Sequence, residues 1–141
     1  MKYFIFIILF LSLAAAVFGQ TEQEYSDDLI YAQVRNVRLV ETSPGTYTFH
    51  VTVRHRDQGW DHYADLWQVI DTETGDVLGE RVLAHPHDNE QPFTRSQRGI
   101  EIPGNTETVT VRAKCTQHGY NGKQIVIDLS EPEGENYSIE R

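Results

Sequence analysis

Between residues 29 and 130 the apolar residues recur at every second position in short runs, and turn-forming residues break those runs at close spacing. Alternate side chains of an extended chain point to opposite faces, so this period predicts strands with one buried face rather than amphipathic helices. The clearest run is 46–55, where Tyr47, Phe49, Val51 and Val53 point one way and Thr46, Thr48, His50 and Thr52 the other. Val109, Val111, Ala113 and Cys115 repeat the pattern over 107–115, as do Ile125, Ile127 and Leu129 over 123–130. Further strands are expected over 29–41, over 65–71 around Trp67 and Val69, over 77–84 and over 94–102. In the first of these the apolar phase slips between Val34 and Val37, which predicts a β-bulge. Seven short antiparallel strands in about a hundred residues predict an all-β, immunoglobulin-like β-sandwich, with Trp67 in its core.

The flanks read differently. Residues 1–19 have a charged Lys2, an apolar stretch over 4–13 and small residues up to Gly19, the pattern of a signal peptide cleaved after Gly19. The apolar stretch is too short for a permanent membrane span, and no cysteine near the cleavage point invites a lipid anchor. Residues 20–28 and 131–141 are acidic and polar and are expected to be a flexible leader and tail around one domain, 29–130. The chain carries 12 basic and 21 acidic side chains, and losing Lys2 with the signal takes the net charge from −9 to −10. Such a charge argues against nucleic acid and anionic membranes as partners and suits a secreted or periplasmic protein. One cysteine allows no internal disulfide, and its place on the inward face of a strand predicts that Cys115 is buried. Asn136-Tyr137-Ser138 is a glycosylation sequon by rule.

If successive strands alternate in direction, the connections 55–65, 84–93 and 115–122 emerge at one end of the sandwich. The Ser43-Pro44-Gly45, Thr74-Gly75-Asp76 and Pro103-Gly104-Asn105 turns lie at the other. The first set holds five of the six histidines, His55, His62, His85, His87 and His118, and leaves His50 in mid-strand. In His85-Pro86-His87 the two imidazoles are two residues apart and face one side of an extended segment. They could form a metal-ligand pair, with His118 and His62 completing a nitrogen-donor set for zinc or copper. Asp61, Asp88 and Glu90 could ligate or orient these rings, and Asp65 could hydrogen-bond His62. His55 continues the apolar face of its strand and reads as packed rather than coordinating.

Two other readings share these loops. Cys115-x-x-His118 has the spacing of a blue-copper ligand loop, in which Gln124 would stand in for the axial methionine and His55, His62, His85 or His87 would supply the second histidine. Trp60, Tyr63, Phe93 and Tyr120, beside Gln91 and Arg95, could instead form a platform for a polar ligand or a protein partner. No Gly-x-Ser-x-Gly elbow, phosphate loop or basic-aromatic patch is present, so the balance leans away from an enzyme.

The segments WDHYADLWQV, HPHDNEQPFTRS and HGYNGK together resemble a family of small exported bacterial proteins of uncharacterised function, whose pattern is WDHYAD-W, HPH-x-x-EQPFTRS and HGYGG. The resemblance covers 60–123 and marks Trp60, Asp61, His62, Tyr63, Asp65, His85, His87, Glu90, Gln91, Phe93, Arg95, Ser96, His118, Gly119 and Tyr120. It implies no activity. The chain departs from the pattern at Asn121, where the family has glycine, and Cys115 lies outside the motif.

Overall fold

The computed structural model describes residues 27–141. The expected signal peptide and nearly all of the expected leader lie outside the described residues. Among the described residues nine strands form two facing sheets. These are β1 (Gln33–Ser43), β2 (Thr46–Arg54), β3 (Ala64–Asp71), β4 (Val77–Val82), β5 (Phe93–Glu101), β6 (Thr108–Cys115), β7 (Ile125–Asp128), β8 (Glu133–Gly134) and β9 (Tyr137–Glu140). One sheet has the order β5-β2-β1-β9-β8 and the other β4-β3-β6-β7. The seven expected strands are all present. Their division, first, second and fifth against third, fourth, sixth and seventh, is that of an immunoglobulin-like sandwich. No helix among the described residues is long and apolar enough to cross a membrane.

The alternation read from sequence becomes the core. Tyr47, Phe49, Val51 and Val53 of β2 face Trp67 and Val69 of β3 and Val109, Val111 and Ala113 of β6, all of them buried in one cluster. The bulge in β1 falls where the phase slipped, as a register shift between Val34 and Asn36, so that Val34, Val37 and Leu39 all reach the core. A second shift, opposite Tyr47 and Phe49, is absorbed in β5 near Gly99 at φ 70°. It lets Phe93 and Ile100, seven residues apart, both point inward.

The C-terminal segment corrects the expectation of a flexible tail. Residues 133–140 form a small hairpin, and β9 pairs with β1 in parallel, Val37 opposite Tyr137 and Val40 opposite Glu140. Tyr137 and Ile139 alternate with polar neighbours and are each only 8% exposed. Two such residues were too few to outweigh six surrounding acidic and polar residues in a composition-based reading. Among the strands of the described residues this is the one parallel pair.

Strand parity holds. At one end Ile102 N–H donates to the Gly45 carbonyl and Thr106 Oγ1 to Asp71, which ties the three plain turns together. At the other end the three histidine-bearing connections interlock. Gly59 N–H donates to Asp88, Thr116 N–H to the Tyr63 carbonyl, and His87 N–H to Asp57.

Candidate metal centre

The site is built where β2 and β6 run out of the core. His55 follows β2 and keeps its inward phase, so its ring continues the row of Val51 and Val53 and is buried. Cys115 ends β6 on the same inward phase and is buried too. His62, from the β2–β3 connection, closes over both, its ring 4.7 Å from that of His55 and edge-on to it. One donor atom from each of His55, His62 and Cys115 lies within 4.8 Å of the other two. The carbonyl of Ile30 lies against the group, 3.0 Å from His55 Nε2 and 3.6 Å from Cys115 Sγ.

Asp57 holds this arrangement in place. Its side chain has no solvent exposure. Oδ1 accepts from His55 Nδ1 at 2.6 Å and from Ala64 N–H at 3.0 Å, and Oδ2 accepts from His87 N–H at 2.7 Å. Burial works to raise the Asp57 pKa, but the His55 side chain and the two backbone N–H groups outweigh it and hold it below the ordinary carboxylate value. The contact with Asp57 fixes His55 Nδ1 as a donor and so directs Nε2 into the group. This is the carboxylate–histidine relation that orients metal-binding imidazoles. Nε2 in turn faces the Ile30 carbonyl, and it is this ring nitrogen that a metal would take up.

His62 is set the same way. Its Nδ1 lies 3.2 Å from Gln58 Oε1, while Nε2 is buried without a hydrogen-bond partner. An orphaned buried nitrogen costs about 1–3 kcal/mol, which a ligand can recover. Burial lowers the His62 pKa and the neighbouring His55 and His118 lower it further, while the nearby Ile30 carbonyl and Asp57 oppose them weakly. A neutral imidazole is the form that binds metal. His118 sits behind, its ring 5.0 Å from that of His62 and 5.4 Å from that of Tyr31, and its backbone N–H donates to Cys115 Sγ at 3.2 Å.

The four histidines singled out by sequence as ligands are therefore divided. His62 enters the buried group and His118 supports it from the side. His85 and His87 pair with each other instead, their rings 4.5 Å apart. His87 stacks on Phe93 at 3.9 Å, is buried with neither ring nitrogen hydrogen-bonded, and is linked to the group through its backbone, to Asp57 and Gln91. Burial, then Arg95 and His85, push the His87 pKa down. Gln91 joins the two sets, accepting from His55 N–H and donating to the His87 carbonyl, both at 3.1 Å.

The remaining loop residues have other partners. Glu90 pairs with Arg95 at 3.2 Å and Asp65 with Lys114 at 2.7 Å. The Asp61 carbonyl accepts from Thr116 and Gln117. Tyr120 lies under the Arg112 guanidinium at 4.1 Å, and burial raises its pKa. Trp60 is 67% exposed, with Tyr63 edge-on at 5.7 Å. Sequence reasoning passed over Asp57 and read His55 first as packed, naming it as a ligand only in the blue-copper alternative with Cys115. The available signal was His55-x-Asp57, an imidazole and a carboxylate two residues apart in an extended segment and so on one face.

Comparison with known proteins finds a relative in Halomicrobium mukohataei, described as a "Putative lipoprotein", that is 45% identical over 108 residues. The match takes in 76% of this chain but 52% of the relative, so the chain spans about half the length of the curated protein it matches. No family model and no solved structure matches the chain.

Proposed function

We propose that this chain is an exported binding protein that holds a transition metal ion, zinc or copper, between His55, His62 and Cys115. The observation that carries the reading is a buried nitrogen without a partner, His62 Nε2, beside a second imidazole and a thiol within 4.8 Å. Zinc and copper both accept nitrogen and thiolate donors. A tetrahedral ion bound at ordinary zinc distances needs its donors about 3.4–3.6 Å apart, so the three side chains would close by roughly an ångström on loading. Export is supported by the signal-like segment 1–19 and by the description of the relative as a lipoprotein.

The test is calorimetric titration of residues 20–141 with zinc and with copper, with elemental analysis of the purified protein. Stoichiometric binding at micromolar affinity or tighter, lost in His55→Ala/His62→Ala and retained in His85→Ala/His87→Ala, is the expected result. Binding by neither ion, or loss in the second double variant alone, refutes the assignment. A second reading, a module for a polar ligand or protein partner, is favoured by the exposure of Trp60 beside Tyr63. It predicts that Trp60→Ala abolishes partner capture while metal content stays the same.

A further inference from the structure

Two imidazoles and a thiol are a donor set with a marked geometric preference. In a trigonal copper site two histidine nitrogens and a cysteine thiolate lie around the ion in one plane, with a weak and distant axial ligand that can be a backbone oxygen. Three features here match that description independently. The donors are His55, His62 and Cys115 and no carboxylate is among them. The Ile30 carbonyl already touches two of the three, at 3.0 Å from His55 Nε2 and 3.6 Å from Cys115 Sγ, where an axial oxygen would stand. The His118 N–H points at Sγ from 3.2 Å, a backbone hydrogen bond to the sulfur of the kind that orients a sulfur ligand.

A planar trigonal ion at ordinary metal–nitrogen and metal–sulfur lengths needs its donors roughly 3.6–3.8 Å apart, inside the 4.8 Å bound on their spacing here. The oxygen also approaches from the segment before β1, which is pinned by backbone contact. Val34 N–H donates to the Lys123 carbonyl, and a Cβ at Gly122 would collide with the Ala32 carbonyl. The oxygen is therefore held against the site by the fold rather than by a flexible side chain.

Resting on the metal-binding reading above, we propose that the site is a copper–thiolate centre, with copper in the plane of His55, His62 and Cys115 and the Ile30 carbonyl as its weak axial ligand. As the Cu–S bond forms, the S–H proton leaves Cys115 for solvent. No electron moves in that step, and the ion keeps its oxidation state.

The experiment adds one equivalent of Cu(II) to residues 20–141 and records the visible absorption and electron paramagnetic resonance spectra, with Zn(II) titrated in parallel. The expected result is an intense sulfur-to-copper charge-transfer band that Cys115→Ser removes while the circular dichroism is unchanged. The wild-type resonance spectrum should also show the narrow copper hyperfine splitting of a covalent thiolate, which keeps the test independent of the variant. Copper bound with only weak ligand-field colour, a band that survives Cys115→Ser, or a disulfide dimer formed on adding copper overturns the thiolate assignment and leaves metal binding standing. Failure of both ions to bind overturns both.

Discussion

Asp57 is the residue on which the histidine-bearing end depends most, and its removal has a calculable cost. Asp57→Ala leaves three buried donors, His55 Nδ1, Ala64 N–H and His87 N–H, without their acceptor. Each orphaned donor costs about 1–3 kcal/mol, with the larger values for donors that lose an ionised acceptor. Because these terms overlap, the expected loss is about 4 kcal/mol, a large share of the roughly 5–15 kcal/mol that holds a domain together. For a domain of this size that lowers the melting temperature by about 12–20 °C. Asp57→Asn is the sharper test. Its amide oxygen can serve the two donors on the Oδ1 side, but its NH2 then meets His87 N–H donor to donor, and the charge is gone. A loss of about 2–3 kcal/mol is expected by urea denaturation with an unchanged slope, together with a 10–100-fold weaker metal affinity, as befits a residue that orients a ligand. A parental midpoint for Asp57→Asn, within about 0.5 kcal/mol, would refute the role assigned to this carboxylate.

Three further outcomes are expected. Burial keeps the His62 and His87 pKa values below that of an exposed imidazole, so the unfolded chain binds more protons than the folded one as pH falls through about 6.5 towards the depressed values. Stability should be fully present above that window and fall with acidification through it, and a flat denaturation free energy between pH 7.5 and about 5 would contradict this. Deleting residues 131–141 removes the burial of Tyr137 and Ile139 and bares the β1 edge, which should cost about 2–4 kcal/mol and promote aggregation seen by light scattering. A truncated protein with the parental melting temperature would show that β9 contributes nothing. Gly122→Ala should drive the Ala32 carbonyl, and with it the segment carrying Ile30, away from the site, lowering both the melting temperature and the metal affinity. An unchanged affinity would detach that segment from the site.

The sandwich was legible because a period of two, broken by turns, leaves few alternatives, and because a phase slip such as that between Val34 and Val37 has one common structural meaning. Parity of strand direction placed the histidine loops correctly at one end. Which histidines meet was not legible. His85-Pro86-His87 is the conspicuous pair, yet its rings turn towards each other and Phe93. The inward phase that made His55 and Cys115 read as core is the same phase that aims their donor atoms at one another. Burial and ligation were treated as rival readings of His55, whereas at the open end of a sandwich a buried position faces both the core and the loops. The tail was misread for the opposite reason, since two inward residues in an acidic stretch carry almost no periodic signal.

The parallel seat of β9 has a consequence for the order in which the molecule forms. Val37 meets Tyr137 across a hundred positions of sequence, and the sheet that precedes this contact ends on β1, paired with β2 on one edge and open on the other. A nascent or translocating chain therefore carries an open strand edge until nearly all of the described sequence has emerged. Contacts so distant in sequence are slow to form. The last four-residue strand acts as a latch on the sheet that leads into the histidine-bearing end, and a chain arrested before residue 137 would present that edge to any partner able to add a strand.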